Sequence, residues 1–210
     1  FTIALTLSTV TAFATTHTVD NNAGSAAQFT DLQAAVDAAQ AGDTILVAPS
    51  PTSYNDVFLE KQLVLIGGGY SGITSFIRYL TFKNFNASTG SSSSYISGFE
   101  IQGITISPNY DNRPTGVDAS IANITIERNK IAGFNFAQDV YANFLFSDLS
   151  IKNNIIIGNV NFAQSGRTSN IYSNVNFSNN IFSNAYLSSI VSVLIDNGVE
   201  YIDKYQSTSG

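Results

Sequence analysis

The feature that most constrains the fold of this chain is a short unit that occurs three times. The copies occupy residues 123–131, 148–156 and 174–182. Their spacing gives a period of about 25 residues, and periods between about 20 and 50 residues are typical of proteins built from stacked repeats. A fainter fourth copy fits residues 98–104, one period earlier, if one residue is missing before Ile104. We therefore expect stacking of similar units to organise the chain.

Each copy alternates apolar and polar residues, which is the pattern of a β-strand with one buried face. The apolar pairs are Ile124 and Ile126, Leu149 and Ile151, and Val175 and Phe177. A unit of about 25 residues with such short strands cannot bury its apolar face alone, so it must stack on its own copies. The pattern predicts an all-β fold, the parallel β-helix, in which each turn of the solenoid lies about 4.8 Å from the next.

Stacking of this kind places equivalent residues of successive copies above one another. The predicted columns are Ile126, Ile151 and Phe177; Ile131, Ile156 and Phe182; and Asn129, Asn154 and Asn180. The first two columns should lie in the core. The third should form an asparagine ladder at a turn, because asparagine tolerates left-handed backbone and its amide can bond to the copy in the next turn. A polar binding track is the alternative interpretation of this ladder.

Composition and charge restrict the class of protein. Hydrophobic residues make up 44% of the chain and charged residues 11%, with a net charge of only −6, which opposes disorder. The acidic balance also disfavours nucleic acid and anionic lipid as partners. Cysteine is absent, which excludes thiol chemistry, and His17 is the single histidine. A Ser-His-Asp triad and a multi-histidine metal site are therefore disfavoured.

Residues 1–14 are apolar and uncharged, and they end in Ala12, Phe13 and Ala14. This is the pattern of the apolar region and the A-x-A cleavage site of a secretory signal peptide. A run of this length is too short to span a bilayer. We therefore expect a secreted or cell-surface protein whose mature chain begins near Thr15 and does not insert into a membrane.

Residues 15–210 are expected to form a single domain, with solenoid turns over about 44–200. The repeat fades after Asn184 and the tail shows no polar cap, so we expect further turns beyond Gly210.

A helix is predicted over about residues 30–41, ahead of the first turns. Thr30 and Gln33 have the spacing of a capping box, and Gly42 is placed to end the helix. The apolar stripe consists of Leu32, Ala35, Val36 and Ala39. We expect this helix to cap the open end of the solenoid, because uncapped ends expose unpaired strand edges.

The repeat is broken at two places, and loops on a rigid scaffold are where binding residues usually lie. These places are residues 107–120 and the turn at 165–168. Their candidate substrate-binding residues are Asp111, Arg113, Asp118 and Arg167. A carboxylate pair beside an arginine can bind Ca²⁺ or a uronate. A solvated turn is the alternative, since Asp, Asn, Pro and Gly are ordinary turn formers.

Two sets of outer-face residues are also of interest. Glu127 and Lys152 share a repeat position and should form an ion pair between turns, whereas Arg128 has no repeated role and is interpreted as an exposed solubility charge. The tyrosines that could stack on sugar rings are Tyr110, Tyr141, Tyr172 and Tyr186. Ordinary packing is the alternative for these rings.

Four segments near the N-terminus resemble a known superfamily. They are FTDLQAAV at 29–36, GDTILVA at 42–48, YND at 54–56 and LVLIGGG at 63–69. Together they resemble the N-terminal part of the pectin lyase-like superfamily, and the repeats at 98–182 extend the resemblance. It implies a right-handed parallel β-helix behind a capping helix. It also implies chemistry on acidic polysaccharides by lyase, esterase or hydrolase reactions, with Ca²⁺ as the candidate cofactor.

The catalytic residues of that superfamily have no counterpart here. No segment matches the Asp-Asp-Arg set of its esterases or the calcium-binding Asp cluster of its pectate lyases. We therefore assign no catalytic residue and no metal ligand. The expected function is interaction with extracellular or cell-wall polysaccharide, as the N-terminal part of a polysaccharide-processing enzyme. The alternative is a non-catalytic surface adhesin or structural solenoid.

Overall fold

The computed structural model describes residues 14–84, 90–107, 119–137, 144–162, 171–183 and 187–188. Within these ranges the chain forms one helix, α1, over Leu32–Ala38. The strands are β1 (Thr16–Val19), β2 (Thr44–Val47), β3 (Asp56–Leu59), β4 (Val64–Gly67), β5 (Phe76–Lys83), β6 (Tyr95–Ser97), β7 (Glu100–Ser107), β8 (Ala119–Ala122), β9 (Thr125–Glu127), β10 (Lys130–Ile131), β11 (Phe134–Phe136), β12 (Phe144–Lys152), β13 (Ile155–Ile156), β14 (Val160–Phe162), β15 (Ile171–Ser178), β16 (Ile181–Phe182) and β17 (Leu187–Ser188).

The described strands pair in parallel and form two sheets. The first sheet has the order β1-β2-β4-β6-β9-β12-β15, with β8 also on β12. The second sheet joins β3, β5 and β7, then continues as two rows of shorter strands, β10-β13-β16 and β11-β14-β17. Neighbours in a sheet are thus separated by a whole turn of chain. This topology is a β-solenoid, which confirms the predicted fold class.

The register of the first sheet defines the turns. The residues in register are Thr44, Val64, Tyr95, Thr125, Ser150 and Asn176. The shortest step runs from Thr44 to Val64 and the longest from Val64 to Tyr95, so the turns are of unequal length. The core fills the space between the sheets with aliphatic side chains in the early turns and with phenylalanines in the later ones.

The predicted apolar columns are confirmed. Ile151 pairs with Ile126 on one side and with Phe177 on the other, and all three side chains are buried. In the second column Ile156 pairs with Ile131 and Phe182. Equivalent positions of the repeat therefore stack in register, as the apolar alternation requires.

The asparagine ladder is also confirmed, and it is continuous over three turns. Asn154 Oδ1 accepts hydrogen bonds from the backbone N (3.0 Å) and Nδ2 (3.2 Å) of Asn129. Asn180 Oδ1 accepts the same two bonds from Asn154, at 2.9 and 3.0 Å. Asn129 and Asn154 are buried, so these bonds satisfy backbone groups that water cannot reach. This supports the structural interpretation of the ladder.

The left-handed backbone lies one residue before the ladder and not on it. Arg128, Asn153 and Asn179 have φ values of 54°, 57° and 53°. Arg128 is 65% exposed, as expected, but it shares the left-handed conformation of its turn, so the prediction that it has no repeated role is wrong. An arginine at this position is uncommon, because side chains other than Asn, Asp and Gly disfavour positive φ.

The register predicted for the fainter fourth copy is wrong. Glu100 and Ile101 pair with Lys130 and Ile131, so residues 98–101 correspond to the second half of the repeat. The step from Glu100 to Lys130 is longer than the step from Lys130 to Ile155. The difference arises because the interval between β7 and β8 is longer than the equivalent interval in later turns, which a fixed period cannot reveal.

Helix α1 begins one residue later than the capping box predicted. Asp31 is the N-cap, and its side chain accepts a hydrogen bond from the backbone N of Ala34 at 2.8 Å. Gln33 instead reaches β3, where its amide accepts from the backbone N of Phe58 at 2.7 Å and donates to the Phe58 carbonyl at 3.3 Å. The side-chain amide thus takes the place of a neighbouring strand, and the helix covers this edge.

The end of α1 also differs from the prediction. The C-cap is Ala39, and Lys61 Nζ donates to the carbonyls of Asp37 (3.0 Å) and Ala39 (2.9 Å). Gly42 has a φ of 93° and lies in the turn before β2. A lysine from the next turn therefore satisfies the helix end, where a C-terminal glycine was expected.

Strand β1 was not anticipated from the sequence. It extends the first sheet by one strand beyond β2. The edge of β1 is covered by the chain that follows it: the backbone N of Thr18 donates to Gln28 Oε1 at 3.0 Å, and Phe29 donates to the Thr18 carbonyl at 3.0 Å. This end of the solenoid is thus protected at both sheets by glutamine side chains and local backbone.

Candidate functional site

The four candidate binding residues from the broken repeats, Asp111, Arg113, Asp118 and Arg167, lie outside the described residues. Their role stays a prediction. Of the candidate tyrosines, Tyr110, Tyr141 and Tyr186 lie outside as well.

Tyr172 is described, and it packs. Its ring stacks on Phe146 with centroids 5.2 Å apart and 12° between the planes, against the core. The packing alternative therefore holds for this tyrosine.

A groove crosses the surface of the second sheet along the solenoid axis. Its wider part has a volume of about 350 Å³ and lies between Ser50, Ile73, Thr74, Phe76 and Glu100. A narrower part of about 100 Å³ continues along Glu100, Gln102, Lys130 and Ile157. Phe76 and Glu100 line both parts, so the two parts adjoin, and together they are named here the axial groove. Its lining comes from five successive turns, which spans about 19 Å at about 4.8 Å per turn.

The floor of the axial groove is a column of three chemically different side chains. Phe76 pairs with Glu100, and Glu100 pairs with Lys130, in adjacent strands of the second sheet. Lys130 Nζ lies 2.8 Å from Glu100 Oε1, and both side chains are about one-third exposed. Thr74 Oγ1 donates to Glu100 Oε2 at 3.3 Å. An aromatic ring, a carboxylate and an ammonium group are therefore presented side by side to solvent.

Sequence reasoning missed this groove for a simple reason. The step from Phe76 to Glu100 is shorter than the step from Glu100 to Lys130, so the three floor residues match no single repeat period. The one signal in the sequence was that the outward positions of β5, β7 and β10 include both apolar and charged residues, namely Phe76, Glu100 and Lys130.

A second polar cluster lies on the first sheet and consists of Tyr95, Glu127, Arg128 and Lys152, named here the Glu127 cluster. Tyr95 Oη and Arg128 Nη2 each lie 2.5 Å from Glu127 Oε1. Lys152 Nζ lies 3.3 Å from Glu127 Oε2. The predicted Glu127–Lys152 pair is confirmed, but the Glu127 side chain is only 9% exposed and has two further partners that the repeat did not indicate.

These partners determine the chemistry of Glu127. The hydrogen bond from Tyr95, together with Arg128 and Lys152, lowers the pKa of Glu127 to about 2 against the opposing effect of burial. A carboxylate that is ionised throughout the physiological range does not serve as a general acid, and its two oxygens are already occupied. The Glu127 cluster therefore fixes the positions of two cationic side chains, of which Arg128 is 65% exposed.

Replacement of Glu127 by glutamine should flatten the acid sensitivity of folding. The folded state lowers the pKa from 4.5 to about 2, so the stabilisation from Glu127 is present above pH 4.5 and is lost as pH falls through that window. Urea unfolding of both proteins, from neutral pH to about pH 2, measures this. Parallel loss of stability in the two proteins would contradict the assigned contacts.

The described residues contain no cluster of acidic, histidine or cysteine side chains of the kind that holds a metal ion. Among them, no group of three or more His, Cys, Asp or Glu side chains converges on a point. Ca²⁺ prefers about six to eight oxygen ligands, typically with several carboxylates. Asp111 and Asp118 lie outside the described residues, so the Ca²⁺ that the family resemblance implies stays a prediction. No described helix is long and apolar enough to cross a membrane.

Together, the stacked parallel turns, the ladder and the axial groove place this chain in the class of β-solenoid proteins. Comparison with protein-family models, curated proteins and solved structures found no match in any of the three. The resemblance to the pectin lyase-like superfamily thus rests on the sequence segments described above and on the solenoid fold.

Proposed function

We propose that this chain is an exported β-solenoid that binds extracellular or cell-wall polysaccharide along the axial groove. The observation that carries the proposal is the column of Phe76, Glu100 and Lys130 on the floor of a groove that continues over five turns. A groove parallel to the solenoid axis suits a linear polymer, because each turn offers a similar strip of surface to the next unit of the ligand.

The lining of the axial groove suits sugars in particular. A sugar ring has an apolar face that can pack on the ring of Phe76, and hydroxyl groups around its rim. Glu100 can accept hydrogen bonds from these hydroxyls, Lys130 can donate, and the Gln102 amide can do both. Mixed apolar and polar lining of this kind is typical of ligand sites in which a few polar groups fix the orientation.

Within the proposed class, the carboxylates of the axial groove and of the Glu127 cluster favour binding over catalysis. Each oxygen of Glu100 and of Glu127 already contacts a donor. Proton abstraction from a uronate needs a base that can reach the substrate and is not tied to cations. A non-catalytic adhesin or structural solenoid is therefore supported by a specific observation. The resemblance to the pectin lyase-like superfamily suggests activity as a lyase, esterase or hydrolase. Such activity would depend on residues such as Asp111 and Arg113.

Replacement of Phe76 by alanine should weaken polysaccharide binding by about 2- to 10-fold, because a stacking contact is lost. Calorimetric titration with polygalacturonate, alginate and a neutral xylan measures the effect. Phe58→Ala is the matched control, since Phe58 is also a partly exposed phenylalanine on the second sheet but lies outside the groove. The control should bind like the wild type.

Two outcomes would overturn the groove as the binding site. One is equal loss of affinity in both phenylalanine variants, and the other is no binding to any of the three polymers.

Lyase activity is tested separately by the ultraviolet absorbance of the same mixtures, with and without Ca²⁺, because a lyase produces unsaturated ends. Substitution of Asp111 and Arg113 by alanine, with no loss of binding, would exclude those two residues.

A further inference from the structure

Asp43 holds the backbone nitrogen of Thr15 at the beginning of the first sheet. The Asp43 side chain is buried, and its Oδ1 accepts a hydrogen bond from Thr15 N at 2.7 Å. Its Oδ2 accepts from the backbone N of Gln40 at 2.7 Å and lies 3.1 Å from His17 Nε2. On the other side, the Thr15 carbonyl accepts from the backbone N of Thr44 at 2.9 Å. Thr15 is therefore fixed at both its amide and its carbonyl.

In the part of the chain that the structure describes, the Asp43 site has no permanently charged cation. A buried carboxylate is normally paired with a full cation, because its desolvation is costly. Among the described residues, the ion-pair partner of Asp43 is His17, which is charged only when it is protonated. The peptide nitrogen of Thr15 supplies only a partial charge. Burial acts to raise the pKa of Asp43, but the bonds from Thr15, Gln40 and His17 outweigh it and lower the pKa.

The sequence places a cleavage motif directly before this nitrogen. Ala12, Phe13 and Ala14 form the A-x-A pattern, so the bond after Ala14 is the one that a signal peptidase would hydrolyse. Thr15 is exposed, and β1 starts at Thr16. Two independent observations, the motif and the Asp43 contact, thus point to the same peptide bond.

We propose that hydrolysis of the Ala14–Thr15 bond creates an α-ammonium group at Thr15 that pairs with Asp43 and fastens β1 to the solenoid. Water adds across the peptide bond, so that Ala14 leaves with a carboxylate and Thr15 N becomes a protonated amine. The nitrogen keeps its donor role toward Asp43 Oδ1 and gains a full positive charge. The proposal rests on the export part of the proposed function and is independent of polysaccharide binding.

The test compares three proteins that differ only at the N-terminus. One begins with a free amine at Thr15, one begins at Ala14, and one begins at an Nα-acetylated Thr15. All three contain every described strand and helix α1. We expect the free Thr15 protein to unfold at a temperature at least about 4 °C higher than the other two. Equal midpoints for the three proteins would overturn the proposal.

A second measurement reports on the ion pair directly. Acylation of the Thr15 amine at neutral pH should be about tenfold slower than in the Asp43→Asn variant, since one pKa unit changes the reactive fraction tenfold. Equal acylation rates would overturn the pairing.

The cleavage position is tested in cells. Edman sequencing of the exported protein should begin Thr-Thr-His-Thr-Val, and any other first residue would overturn the cleavage position. Loss of polysaccharide binding would leave each of these results unchanged.

Discussion

Replacement of Asn154 by alanine should destabilise the fold by about 3–5 kcal/mol, because it leaves several buried polar groups without partners. Asn154 Oδ1 accepts both bonds from Asn129, and Asn154 Nδ2 donates to the Ile126 carbonyl at 2.9 Å. The side chain is only 1% exposed, so water cannot replace these contacts. Removal of the amide thus breaks the ladder at its middle rung.

Asn180→Ala is the matched control for this prediction. Asn180 Oδ1 accepts two bonds from Asn154, and its Nδ2 donates to the Ile151 carbonyl at 2.7 Å, so the variant loses equivalent contacts. Asn180 is partly exposed, and water can satisfy some of the groups that it leaves. Urea unfolding of both variants should therefore show the larger loss for Asn154→Ala. A ladder that serves only as a binding track would give small losses in both.

The sequence predicted those features that depend on one repeat period. The columns through Ile126 and Ile131 and the ladder through Asn129 follow from a spacing that three copies share, and all of them are in the structure. In a solenoid, an equal spacing along the chain places residues in adjacent turns. The repeat spacing alone therefore predicts which residues of adjacent turns are in contact, without knowledge of the path of the loops.

Side-chain contacts between turns of different length could not be predicted from the repeat period. Glu127 contacts Lys152 one regular period away, which was predicted, and Tyr95 from a longer turn, which was not. Phe76 and Glu100 meet for the same geometric reason. A residue before the first repeat, such as Thr16 in β1, has no copy to align with, and its strand was missed. Prediction thus failed where turn length varied or where no copy existed.

Replacement of Phe136 by alanine should have an effect of similar size, about 3–5 kcal/mol, through the core and not through polar groups. Phe136 is fully buried, and its ring stacks on Phe162 of the next turn with centroids 4.7 Å apart. It also meets Phe146 and Tyr172 of the first sheet edge-on, at 5.1 and 5.5 Å. One ring therefore joins neighbouring turns and both sheets, and its loss opens a cavity between them.

The matched control is again Phe58→Ala, because Phe58 is 39% exposed on the outer face of β3. Its removal leaves no buried cavity and loses mainly the contact with Lys83 Nζ, which lies 4.5 Å from the ring centroid, so we expect a loss below about 1 kcal/mol. Urea unfolding of the two variants measures the difference, and the m-value shows whether unfolding stays cooperative. Because each turn contacts only its neighbours, Phe136→Ala should also allow the later turns to unfold separately, which would lower that m-value. Equal losses in the two variants would contradict the placement of Phe136 between the sheets.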